Sequence, residues 1–112
     1  MKIDEKWLNL ILNGSKTWEI RRTNTKIRER IALGNMKTKC VEAYCTIVDS
    51  KEMTVEDLKK HNDKHQANDF IDTYANGRNT LFAWVLENVE LEPNPKPYSY
   101  AAGPWCRTPF KT

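Results

Sequence analysis

Histidine, cysteine and glycine are scarce in this chain of 112 residues, with two, three and four copies. The cysteines, Cys40, Cys45 and Cys106, are an odd number and form no C-x-x-C pair. That pattern argues against a disulfide framework and offers no structural zinc spacing, so free thiols in a reducing compartment are the expectation. His61 and His65 stand four apart, a spacing that can chelate zinc, but the first lacks a following Glu and no third ligand is near. No metal site is expected from them. No apolar run approaches the roughly 20 residues of a spanning helix. No basic-then-apolar leader opens the sequence either. The expectation is a soluble, cytoplasmic protein with no membrane partner. Repeats and low-complexity tracts are also lacking.

What is present suffices for one small core: 39% of residues are hydrophobic and 10% aromatic. The length fits one domain over residues 1–112. Net charge is only +3, yet the segment from Ser15 to Cys40 carries +6 and the remainder −3. A basic segment on an acidic body is the footprint of a surface that meets phosphates. An evenly solvated basic face would give the same count.

Asp4 can cap a helix on which Trp7, Leu8, Ile11 and Leu12 form one apolar stripe, with Gly14 ending it. Alternation then predicts strands over 16–22, 28–33 and 41–48, the last with Val41, Ala43, Cys45 and Ile47 on one face. Thr54, with Asp57 three residues on, opens a polar helical region through Tyr74, stopped by Asn76-Gly77. Residues 81–86 (LFAWVL) read as a buried central strand. Pro93, Pro95 and Pro97 cannot donate to a ladder, so that stretch reads as an extended loop or an edge. The aromatic tail from Tyr98 to Phe110 is expected to pack back on the body. The fold class is therefore α+β: about five strands in a strongly bent sheet or small β-barrel, with flanking helices.

The stretch Gly14-Ser15-Lys16-Thr17-Trp18-Glu19-Ile20-Arg21 carries the most chemistry. It places a carboxylate and a guanidinium two residues apart on one strand face, with a lysine at the strand entrance. Two cations around one anion can hold an anionic or amide-bearing ligand. An ordinary ion pair on a solvated sheet face is the plainer reading of the same spacing.

This G-x-K-x-x-E-x-R run after a short amphipathic helix resembles the motif of the ASCH domain, a PUA-like family, through Gly14, Lys16, Glu19 and Arg21. Arg30-Ile31-Ala32-Leu33, Phe82-Ala83-Trp84 and the segment ending in Gly103-Pro104-Trp105 are similar to later parts of that family. The resemblance implies a small β-barrel with the motif lining a cleft between barrel and helix, and a partner that is RNA or a modified nucleoside or nucleotide. In that reading Lys16, Glu19 and Arg21 form the central, catalytic set if chemistry occurs. Arg22, Lys26, Arg28, Lys37 and Lys39 would contact phosphates, and Trp18, Tyr100 and Trp105 would supply ring faces. Trp7 and Trp84, by position, read as core. No cofactor is required for binding.

Two activities among relatives offer alternatives. A metal-assisted ribonuclease of single-stranded RNA would use Mg or Mn, with Asp63, His65 or Asp69 joining Glu19. Lys16 and Arg21 would steady the phosphate and Glu19 would act as base. An amidohydrolase of N4-acylated cytidine uses a Lys, a Thr three residues later and a distant Glu. Lys16 matches the first, Glu19 occupies the threonine position, and His65 or Asp69 falls near the last. A third reading, a protein-interaction module, predicts that charge reversal at Lys16 or Arg21 spares partner binding while truncation after Pro97 abolishes it.

Overall fold

The computed structural model describes residues 1–98; Tyr100, Trp105 and Cys106, and with them the expected packing of the tail, lie outside the described residues. Strand β1 (Lys2–Ile3) leads into helix α1 (Glu5–Leu12), and β2 (Trp18–Arg21) follows. Then come β3 (Arg30–Asn35) and β4 (Cys40–Thr54), three short helices α2 (Val55–Lys59), α3 (Asn62–His65) and α4 (Ile71–Ala75), and β5 (Thr80–Pro97). A single turn of 3-10 helix, Asn68–Phe70, joins α3 to α4.

The start and stop signals act locally as their chemistry dictates. Gly14 takes φ 85°, the left-handed conformation that ends α1. The Thr54 hydroxyl accepts from the Asp57 amide at 3.1 Å and caps α2. Asn76 (φ 49°) and Gly77 (φ 88°) close α4.

The strands form one mixed sheet in the order β1-β3-β4-β5-β2, with β1–β3 parallel and the other pairings antiparallel. The expected barrel is corrected here: β1 and β2 are the two outer strands of the sheet, which is not closed. β1 is only two residues long, too short to carry a ladder around the seam. Arg21 spans the seam instead, its Nη2 donating to the Lys2 carbonyl at 3.3 Å.

Alternation places Val41, Ala43, Cys45 and Ile47 fully inside. One face of the sheet packs on α1 through Leu8, Ile11, Ile31, Leu33, Trp84 and Leu86. The other face of β2 and β5 is covered by the short helices through Leu58, Ile71, Leu81 and Ala83. Of the two readings of the proline stretch, the edge strand holds. Val41 pairs with Lys96 and Ala43 with Leu91, so Glu92 to Pro95 bulge out of the ladder and carry Pro93 and Pro95 with them. β2 reaches only residues 82–85 of β5, so this distal half is also an edge. No described helix is long and apolar enough to cross a membrane.

Candidate nucleotide-binding cleft

The seam between β1 and β2 opens into a cleft of about 510 Å³, with α1 on one side and α4 with the preceding 3-10 turn on the other. Lys16, Glu19, Arg21 and Arg22 all line it, because they occupy the strand and strand entrance that form its floor. Glu19 and Arg21 share one face of β2, opposite Trp84 and Phe82 on β5. The Arg21 Nη2 and Nε donate to Glu19 Oε2 at 2.9 and 3.2 Å. Lys16 Nζ lies 3.5 Å from Glu19 Oε1 and donates to the His65 carbonyl at 2.6 Å. It also sits 4.9 Å from the centre of the Trp7 ring.

These ions are not on a solvated face: Lys16 is 2% and Glu19 6% exposed. Burial lowers the Lys16 pKa, Glu19 opposes the drop, and Arg21 adds to it. A buried amine beside its carboxylate in a cleft is the electrostatic setting in which functional groups are found.

His65 explains how Lys16 is held. Its ring is fully buried; Nδ1 accepts from the Ala67 amide at 2.9 Å, so Nε2 carries the proton and donates to the Leu58 carbonyl at 2.6 Å. Burial, with Lys16 and His61 nearby, lowers its pKa against the backbone contact and Asp63. The α3 terminus grips the entrance to β2 at two further points. The Thr17 amide donates to the Lys64 carbonyl at 2.8 Å, and Gln66 Nε2 to the Ser15 carbonyl at 3.1 Å. His65 is therefore a structural histidine, not the surface residue its polar segment suggested.

Other expected residues fall elsewhere. Trp18 is 8% exposed and packs in the second core beside His61, with ring centres 5.2 Å apart, away from the cleft. Lys26, Arg28, Lys37 and Lys39 are exposed and do not line the cleft. Arg28 is turned onto the Thr25 and Ile27 carbonyls, and Lys37 pairs with Glu5 at 3.5 Å. Tyr98 is buried against Ala32 and Val41. Asp63 and Asp69 are exposed and line no part of the cleft. Among the described residues no three His, Cys, Asp or Glu side chains gather as a metal-binding group. The cleft's carboxylates are Asp4 and Glu19, and Glu19 is flanked by two cations, a poor donor set for a divalent metal.

Three rings that the sequence placed facing inward also border the cleft, Trp7 and Tyr74 while packing against the core. Trp7 is half-buried at the edge of the α1 stripe, Phe70 is 46% exposed, and Tyr74 follows Phe70 one turn later. Two aromatics four apart in an otherwise polar segment were the available signal. Five cations (Lys2, Lys6, Lys16, Arg21, Arg22) share the wall with the two carboxylates.

A family model of the ASCH domain matches residues 1–95. The chain is similar in structure to crystal structures of an ASCH protein from Zymomonas mobilis. The unsubstituted protein gives a TM-score of 0.80 at 16% identity, covering 96% of this chain and 86% of that one. Two point mutants of that protein give 0.80 and 0.79, again at 16% identity and 96% of this chain, with 88% and 87% of theirs. At this identity the likeness concerns the fold. No curated protein matches the chain.

Proposed function

The chain belongs to the ASCH domain family, and on that premise we propose that it binds RNA or a nucleotide in the cleft at the β1–β2 seam. The observation that carries this reading is the composition of the cleft lining: five cations against two carboxylates, with Trp7 on one side and Phe70 and Tyr74 on the other. Cations supply phosphate affinity, and rings supply stacking surface that any base can use. The volume lies in the range of small-molecule sites. Lys16, Glu19 and Arg21 form the polar floor, where among the described residues Glu19 Oε1 meets Lys16 alone and so keeps acceptor capacity for an N–H group of a base.

Labelled single-stranded RNA incubated with the pure protein, with Mg²⁺ or Mn²⁺ and with EDTA, tests this. A mobility shift without cleavage, independent of metal and weakened by Lys6→Glu and Arg22→Glu, is the expected result. Absence of any shift at low salt, for RNA and for free nucleotides, would reject the reading. Metal-dependent cleavage lost in both Lys16→Ala and Glu19→Gln would replace it with a ribonuclease.

A further inference from the structure

The dipeptide Asn-Gly occurs twice in the chain, at Asn13-Gly14 and at Asn76-Gly77, and each pair ends a helix. Both glycines take positive φ, 85° and 88°, and all four residues are exposed. A Cβ added at either glycine would meet nothing within 4 Å, so access does not tell the pairs apart. Their hydrogen bonds do.

At the first pair the Gly14 amide donates to the Ile11 carbonyl at 3.2 Å, and the Lys16 amide to the Leu10 carbonyl at 3.0 Å. The Asn13 side-chain oxygen accepts from the Ser15 amide at 2.8 Å. At the second pair, among the described residues, neither the Gly77 amide nor the Asn76 side chain has a hydrogen-bond partner. One backbone bond ties that turn, from the Arg78 amide to the Ala75 carbonyl at 3.1 Å. Arg78 Nη1 reaches the same carbonyl at 3.4 Å, on a side chain long enough to follow the turn.

An unbonded glycine amide after an unbonded asparagine side chain is a nucleophile beside its electrophile. The Gly77 nitrogen gives up its proton to hydroxide and attacks the Asn76 side-chain carbonyl carbon. A C–N bond forms, the side-chain nitrogen leaves as ammonia, and a succinimide closes between the two residues. Water then opens the ring at either carbonyl. Opening at the side-chain carbonyl yields aspartate; opening at the main-chain carbonyl yields isoaspartate. Glycine, without a Cβ, puts no clash in the way of the new bond. Arg78, next in the chain, sets a positive charge near the nitrogen that must lose its proton. At Asn13 the same closure removes the Gly14 bond and turns the other two out of line.

We propose that Asn76 is a deamidation site of the folded protein and that Asn13 is protected. Either product adds a negative charge where the carbonyls of α4 end, the unfavourable pole of a helix. Isoaspartate also lengthens the main chain by a methylene at the left-handed cap. The Tyr74 carbonyl of α4 holds Arg22 Nε at 2.9 Å, so the change reaches one side of the cleft. Nothing in this chemistry depends on what the cleft binds.

Incubation of the pure protein in mildly alkaline buffer, followed by peptide mapping and enzymatic methylation of isoaspartyl carboxylates, tests the assignment. Residue 76 should convert, faster as pH rises. Residue 13 should convert roughly 30-fold more slowly, the factor that two further hydrogen bonds of ordinary net strength supply. In urea the two pairs should convert at similar rates. Hydrogen exchange at the Ala75 amide should quicken as wild type converts. In Asn76→Gly, which keeps a residue suited to the left-handed cap, it should stay constant over the same incubation. A folded protein in which residue 13 keeps pace with residue 76 would overturn the proposal. So would one in which residue 76 stays intact while both pairs convert in urea. Unchanged Ala75 exchange in converted protein, or an equal change in Asn76→Gly, would overturn the effect on α4.

Discussion

Burying Lys16 and Glu19, with the half-buried Arg21 against them, makes each depend on the others. Removing the anion leaves the Lys16 charge in a site that water barely reaches. Glu19→Ala should therefore cost about 3–5 kcal/mol of stability, as does breaking other buried pairs. Asp72→Ala, which releases the exposed Lys59 pair at 2.8 Å, should cost no more than about 1 kcal/mol. Urea denaturation of the two variants makes the comparison, and equal small losses would show that Lys16 finds compensation elsewhere. A second residue-scale expectation concerns Cys45, fully buried and with its thiol pushed up to about 12, mainly by burial. Peptide mapping after alkylation at neutral pH should find Cys40 modified well before Cys45. The motif residues were legible because their types and spacing are local. Trp7 was not, since a stripe of apolar positions does not say which flank of the stripe borders a cavity. Trp18 misled for the opposite reason: its strand lies at the sheet's end, yet the short helices bury its outward face.

Among the elements, α3 is the least stable on its own terms and the most consequential. Four residues cannot hold a helix by propensity, so the bonds to Ser15, Lys16 and Thr17 and the locked His65 ring hold it. Protonating that ring would turn Nδ1 into a donor facing the Ala67 amide. Because the folded-state pKa lies below the ordinary imidazole value of 6.5, the unfolded chain binds the proton first. Stability is thus complete above about pH 6.5 and falls as acid is added, with a slope approaching 1.4 kcal/mol per pH unit, roughly one proton's worth. Unfolding measured at pH 7.5 and pH 5.5, with hydrogen exchange at the Thr17 amide, checks this. A flat profile with Thr17 still protected would mean the charged ring has found another acceptor. Strand positions were readable from alternation, which β4 obeys from Cys40 to Ile47; its continuation to Thr54, beyond the expected end at 48, does not alternate and was not legible. The continuation of β5 through three prolines was not, because a bulge is set by the partner strand's register and leaves no local trace.

At the scale of the whole molecule, folding scatters what the chain groups together. The +6 segment between Ser15 and Cys40 ends with Lys16, Arg21 and Arg22 at the cleft, Arg28 on its own loop's carbonyls and Lys37 on α1. If RNA binds at the cleft, the salt dependence should be modest. Lys2, Lys6 and Arg22 as phosphate contacts predict a slope of about −2 in log K against log salt for a single strand. A slope nearer −5 would mean that the scattered cations act together and that the footprint extends far beyond the cleft. Fold class was legible because five strands and a few helices leave few architectures. Closure was not, since it hinges on β1, two residues long with no alternation to read.

That open seam has a consequence for how such a domain can vary. A closed hoop of backbone ties the width of its opening to strand number and tilt. Here one guanidinium bridges the open seam, so the contact between the two outer strands depends on a side chain that a single codon can exchange. Arg21→Lys, shorter and without the fork that reaches both Glu19 and the Lys2 carbonyl, should loosen the mouth while every ladder stays intact. The aperture is adjustable separately from the frame that holds it.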